Sequence, residues 1–232
     1  VSSAASDVYK RQLSPVNFQD TQLIGVLARA ESTVSSLSSL LGGLVEKFAA
    51  RGYSLYLVGG SVRDALLGRL GNDLDFTTPA RPEVIKEILD EWAETVWDTG
   101  IDFGTVSAAY KGQQIEITTF RSDSYDGQSR NPEVVYGDTL EGDLVRRDFK
   151  ANAMAIELLA DASFKFHDPL HGLQDIADRV LDTPDKPEIS FHDDPLRMLR
   201  AARFASQLEF RVADRVVEAM RDMAGEIQRI TV

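Results

Sequence analysis

Leu57-Val58-Gly59-Gly60-Ser61-Val62-Arg63-Asp64, followed by Asp73-Leu74-Asp75, is the stretch on which the reading of this chain turns. An apolar strand end, Leu55 to Val58, runs into a Gly-Gly turn, and Val62 to Leu67 has the spacing of a helix. Gly59 and Gly60 let the backbone approach a ligand closely, and a helix starting near Ser61 could aim its first N–H groups at phosphate. Asp73 and Asp75 stand at i and i+2 of the next apolar segment, with Leu74 and Phe76 as their apolar alternates, so both carboxylates share one strand face. Two ionised carboxylates that close repel unless a cation sits between them. Mg²⁺ takes such oxygen ligands, usually completed by water and nucleotide phosphates. Together the two halves imply metal-assisted nucleotidyl transfer.

A third acid is expected on a neighbouring strand. Gln114 to Arg121 alternates and is rich in β-branched residues, which predicts a strand. Glu116, between Ile115 and Ile117, lies on the face opposite two buried side chains. Periodicity alone makes it an exposed strand residue; beside the Asp pair it is what a two-metal site uses to orient a metal or activate the attacking hydroxyl. The spacing of Leu37, Leu40, Leu41, Leu44, Val45 and Phe48 predicts a helix over 33–51. A second helix is expected from Arg81 to Trp92, with Pro82 in its first turn. Thr105–Tyr110 and Gln114–Phe120 are expected to form a hairpin turning at Lys111-Gly112. Ser122–Asp143 has little periodicity and is expected to be a long loop.

Arg146-Arg147-Asp148-Phe149 precedes a helix-to-strand passage at 151–156, and on composition alone it is a solvated charge cluster. His167 and His171 are four apart, but Pro169 breaks the helix that would align them as metal ligands, so a structural role is expected for both. Pro195 after an acid is a helix-start signature, which makes Asp194 an N-cap candidate. Asp194 and Arg197 then share a helical face and offer an acceptor and a forked donor to a base edge.

Gly-Gly-Ser-Val-Arg-Asp (59–64), Leu-Leu-Gly-Arg (66–69), Asp-Leu-Asp (73–75), Glu-Ile-Thr-Thr-Phe-Arg (116–121), Arg-Arg-Asp-Phe (146–149) and Asp-Asp-Pro-Leu-Arg-Met-Leu-Arg-Ala-Ala-Arg-Phe (193–204) occur in that order. The set resembles the class II tRNA nucleotidyltransferases, the CCA-adding enzymes, whose close relatives are bacterial poly(A) polymerases. The resemblance implies an α/β (α+β) nucleotidyltransferase head of mixed β-sheet and flanking helices, followed by an all-helical neck. The expected division is 1–32 as a partly disordered N-terminal extension, 33–168 as the head and 169–232 as the neck, ending where body and tail domains would begin. The resemblance further implies catalysis by Asp73, Asp75 and Glu116, with Mg²⁺ on Asp73 and Asp75. It implies nucleotide binding by Gly59, Gly60, Ser61, Arg63, Arg147, Asp194, Arg197, Arg200 and Arg203, with Arg147 on the triphosphate and Asp194 and Arg197 as a protein template selecting CTP or ATP. The family's Glu-Asp pair appears here as Asp193-Asp194. The expected activity is addition of CMP and AMP to the 3′ end of tRNA. A poly(A) polymerase, or an enzyme adding only A or only C, shares every motif; a nucleotide- or RNA-binding module without catalysis is the alternative of another class, against which the intact Asp73, Asp75 and Arg63 argue.

Composition sets outer bounds. The 232 residues suffice for a sizeable core. Absence of cysteine excludes disulfides and thiolate metal sites, which suits a cytoplasmic protein. No apolar run approaches the roughly 20 residues of a membrane span, and Val1 to Gln12 lack the apolar core of a secretory signal and read as a leader outside the fold. A net charge of −12 opposes broad RNA binding, but the basic residues gather locally, at Arg146, Arg147 and Lys150 and again at Arg197, Arg200 and Arg203.

Overall fold

The computed structural model describes residues 18–121 and 136–230. The leader expected at Val1–Gln12 and most of the loop expected at Ser122–Asp143 lie outside these residues. The first element is a 33-residue helix, α1 (Phe18–Ala50). Its apolar stripe of Leu23, Val26, Ala30, Val34, Leu37, Leu41, Leu44, Val45 and Phe48 advances by three or four residues and is buried in the main core. The extension expected over 1–32 is therefore corrected: from Phe18 onward the backbone is helical, and Leu23, Val26 and Ala30 are core residues.

Seven strands follow in one sheet: β1 (Leu55–Val58), β2 (Asp73–Thr78), β3 (Thr95–Trp97), β4 (Thr105–Tyr110), β5 (Gln113–Thr119), β6 (Ala155–Leu158) and β7 (Phe164–His167). Their spatial order is β3-β4-β5-β2-β1-β6-β7. The sheet is mixed: β2 and β5 run parallel, and the other neighbours run antiparallel. The hairpin turns at Lys111 and Gly112, both with positive φ, as its two-residue length demands. Along β2 and β5 the burial alternates. Leu74, Phe76, Ile115 and Ile117 are fully buried and join one core with α1 and with helices α2 (Gly59–Leu66) and α3 (Pro82–Asp90). The opposite face is left to the polar residues of the same strands, a consequence of the two-residue period.

Leu140 begins a short helix, α4 (Leu140–Val145), where a loop was expected through Asp143. Thr139 caps it by accepting the Gly142 N–H at 3.2 Å, the usual service of an N-cap hydroxyl. After β7 come α5 (Gly172–Asp178), α6 (Pro187–Asp193), α7 (Leu196–Leu208) and α8 (Asp214–Asp222). The expectation that this region is all-helical is corrected. Val180–Leu181 (β8) and Arg211–Val212 (β9) form a two-stranded parallel ribbon, and two residues are too few to register as a periodicity. The main core continues through Leu173, Ile176, Leu181, Ala201, Phe204 and Phe210, while Phe191, Met198, Val216 and Ala219 make a smaller cluster. At the start of α5 the packing is tight enough to require glycine: a Cβ on Gly172 would stand 2.1 Å from the Lys150 carbonyl oxygen.

Asp175 in α5 is half-buried, and its Oδ2 is shielded from solvent without a hydrogen-bond partner. Burial pushes its carboxyl from 3.8 up to about 7; Lys150 opposes the rise, and Asp182, Asp168 and Asp178 add to it. The folded chain thus holds a proton that the unfolded chain releases near pH 4, so stability falls as pH climbs through the interval from about 4 to about 7 and levels off above it. Asp175→Asn, which keeps the neutral shape, should raise stability at pH 8 by about 1–2 kcal/mol, discounted for solvent screening. Little change is expected at pH 4. Urea denaturation at the two pH values checks it, and equal effects at both would refute the assignment.

Candidate active site

β1 ends at Val58, and α2 starts at once with Gly59, whose φ of 65° is in the left-handed region that favours glycine. A side chain there would also intrude on the site, since a Cβ on Gly59 would lie 2.9 Å from Arg147 Nη1 and 4.0 Å from Asp75 Oδ2. No side chain caps the first turn of α2, so its N-terminal end opens beside Asp75. Ser61 is buried: its hydroxyl accepts the Asp75 N–H at 2.9 Å and donates to the Asp73 carbonyl at 3.3 Å. It braces the carboxylate strand and does not line the cavity.

Parallel pairing sets Asp75 directly opposite Glu116, and both point to the exposed face. Asp75 belongs to two cavities. The larger, about 450 Å³, extends from Gly59, Gly60 and Arg63 past Arg147 and Asp148 to Asp194, Arg197, Arg200 and Phe204. The smaller, about 130 Å³, holds Glu116, Thr118 and Arg121. Arg146 and Arg147 are common walls. Asp73 shares the strand face with Asp75, one alternation away, but lines neither cavity. Burial raises the Asp75 carboxyl, Glu116 raises it further, Arg147 opposes, and Asp73 adds to the rise. A nearby cation would relieve that accumulation of negative charge. Among the described residues no three His, Cys, Asp or Glu side chains are arranged as a complete metal site. Asp75 and Glu116, side by side, instead suit a hard divalent ion that takes one or two carboxylates and keeps water and ligand oxygens.

Two acidic hubs, of which the sequence reading missed Asp143, organise the arginines. Asp143, with no exposed surface, accepts Arg146 Nη2 at 3.1 Å, Arg147 Nη2 at 2.9 Å and the Arg121 N–H at 3.3 Å. Burial alone would raise its carboxyl, but Arg147 and Arg146 outweigh that and hold it below the usual range. The signal was present in the sequence: an acid three and four residues before two arginines is a helix-face pattern, hidden because the helix itself was read as loop. Asp148 accepts the Phe149 N–H, Asn152 Nδ2, and both Nε and Nη2 of Arg200 at 2.8 and 2.7 Å. Asn152 in turn accepts Arg63 Nη1 at 2.7 Å. Arg63, Arg200 and Arg203 lie 5.2, 5.2 and 4.9 Å from the centre of the Phe204 ring, within the range of cation–π attraction. Arg203 stays outside the cavity lining. Asp194 Oδ1 accepts the Leu196 N–H at 3.0 Å, holding the start of α7. Arg147 Nε is buried without a partner, an unpaired donor of the kind that folded proteins rarely leave. His167 lies 3.4 Å from Glu157, and His171 adopts a left-handed conformation before α5, so the two are not paired.

A family model described as the poly A polymerase head domain matches residues 55–182. The CCA-adding enzyme of Lactobacillus helveticus (strain DPC 4571) is 41% identical over 182 residues, which cover 78% of this chain and 44% of that protein. Among solved structures, the crystal structure of Bacillus stearothermophilus CCA-adding enzyme in complex with CTP matches with a TM-score of 0.71 at 35% identity, over 84% of this chain and 45% of that one. A tRNA nucleotidyltransferase complexed with a primer tRNA and an incoming ATP analog matches with a TM-score of 0.65 at 30% identity, covering 83% and 50%. The chain spans about half the length of these relatives.

Proposed function

We propose, from the premise that the chain belongs to the poly A polymerase head domain family, that it performs template-independent addition of CMP and AMP to the 3′ end of tRNA, a cytoplasmic activity. The observation that carries this reading is the position of Asp75, at the junction of two cavities with Glu116 beside it and Arg147 across from it. The larger cavity takes the incoming nucleotide. Its triphosphate lies against the open end of α2 and the guanidinium of Arg147, which lines the same cavity. Its base reaches toward Asp194 and Arg197, and Arg63 and Arg200, fixed through Asn152 and Asp148, line the space between. The smaller cavity takes the acceptor 3′-hydroxyl next to Glu116. Mg²⁺ held by Asp73 and Asp75 would lower the pKa of that hydroxyl and neutralise charge on the phosphates. The hydroxyl gives its proton to Glu116 as its oxygen bonds to the α-phosphorus, the bond from that phosphorus to the bridging oxygen breaks, and pyrophosphate leaves with its charge matched by Arg147. In this reading the sheet and the elements around it are the head, and the helices after β7 form a neck that supplies base recognition.

The test supplies tRNA lacking its terminal CCA with CTP, ATP, or both. Incorporation of CMP from CTP alone and of AMP only after it supports the reading; repeated AMP addition from ATP alone would identify a poly(A) polymerase instead. Arg197→Ala should degrade discrimination among nucleotides roughly tenfold or more, because a fork donor to the base edge is lost. Arg147→Ala should weaken all triphosphates alike. A common factor for CTP, ATP, GTP and UTP in Arg197→Ala would defeat the base-reading assignment.

A further inference from the structure

Arg197 does not stand alone in the cavity wall. Its Nη1 donates to Ser190 Oγ at 2.9 Å and its Nη2 to the Arg146 carbonyl at 2.7 Å. Ser190 lies in α6, three residues before the motif that opens at Asp193, and only 6% of its surface is exposed. Its main chain serves the other base-reading residue as well, because the Ser190 carbonyl accepts the Asp194 N–H at 3.1 Å. One residue thus touches both members of the Asp194/Arg197 pair, through its hydroxyl on one side and its carbonyl on the other. A guanidinium has five N–H donors in one plane. Two donors tied to fixed acceptors set the orientation of that plane and leave Nε–H and one hydrogen on each Nη for other partners. Without the hydroxyl, Arg197 keeps only the Arg146 carbonyl as anchor. It can then turn about that contact toward the cleft of about 180 Å³ on its far side, which it also lines together with Ser190 and Ile189.

We infer that Ser190 is a specificity-positioning residue: its hydroxyl holds the Arg197 guanidinium in the one orientation that reads a nucleobase edge. This rests on the proposed role of Arg197 in base recognition. The Arg146 carbonyl is the second anchor, and because Arg147 follows it directly, the base-reading side chain is pinned to the segment that meets the triphosphate.

The test measures dissociation constants of the 232-residue chain for CTP, ATP, GTP and UTP with Mg²⁺, by calorimetric titration, for the unsubstituted chain and for Ser190→Ala, Ser190→Thr and Arg197→Ala. In Ser190→Ala the preference for CTP and ATP over UTP and GTP should fall roughly tenfold, the worth of a hydrogen bond to a charged donor. Ser190→Thr keeps the hydroxyl and should keep the preference, although its extra methyl enters a buried site. A role in packing alone predicts the reverse order, with Thr worse than Ala and all four nucleotides weakened by one factor; that result overturns the inference. If Arg197→Ala loses the preference and Ser190→Ala does not, the Ser190 inference fails while the role of Arg197 stands. If Arg197→Ala keeps the preference, or the unsubstituted chain shows none, the underlying reading fails and this inference with it.

Discussion

Asp75→Ala should abolish nucleotide transfer, by a factor on the order of 10³ or more, while leaving the fold intact or slightly firmer. Among the described residues Asp75 is the only acid that lines both cavities, which it shares with Arg146 and Arg147, so no other carboxylate stands ready to replace it there. Burial and Glu116 already disfavour its charge, so its removal relieves repulsion in the unliganded chain. Asp73→Ala should also inactivate, with a smaller effect on stability, because Asp73 stands at the strand start and lines neither cavity. Radiolabelled CMP incorporation at saturating Mg²⁺, run beside a thermal melt, separates loss of chemistry from loss of fold. Incorporation by Asp75→Ala within tenfold of the unsubstituted chain would falsify the metal-assisted mechanism.

The second large effect is expected at Asp143. Its removal strips two arginines of their buried counter-charge, a change that costs about 3 kcal/mol in comparable pairs. Nucleotide affinity should fall as well, and two tendencies compete there. A freed Arg147 presents more net positive charge to a phosphate, but it is no longer aimed, and fixing its side chain again costs about 1–2 kcal/mol of rotamer entropy. We expect the loss of aim to dominate, so that Asp143→Ala weakens ATP, CTP, GTP and UTP alike. Asp143→Asn keeps the shape and should fall between. Chemical denaturation and nucleotide titration of both variants decide it; unchanged affinity in a folded Asp143→Ala would show that Arg147 orients itself.

The elements carrying the chemistry were legible because their signals are local. Gly59-Gly60 between an apolar strand and a helical pattern, and the alternation of Asp73, Leu74, Asp75 and Phe76, are decided within a few residues of themselves. The pairing of Asp75 with Glu116 is different in kind, since it depends on a parallel register between strands about 40 residues apart; the need for a third acid on a neighbouring strand was legible, but the register was not. The first half of α1 was lost among its Ser, Thr, Gly and Arg residues, although Leu23, Val26 and Ala30 continue the same stripe; tertiary burial outweighed weak propensity. Ser190 gave no sign, because one serine in an unassigned helix has no pattern to belong to.

The main core runs without interruption from Leu23 in α1 to Phe210 beyond α7, so the strand bearing Asp75 and the helix bearing Arg197 are built on common apolar ground. Such a chain should melt as a single cooperative event, and any ligand bound to its folded form must shift that whole event. At a hundredfold excess over the dissociation constant the shift corresponds to about 2.7 kcal/mol, or about 5–11 °C for a chain of this length. A melting curve taken with each nucleotide in turn would therefore rank the four bases by affinity, with no turnover, no RNA and no radiolabel required.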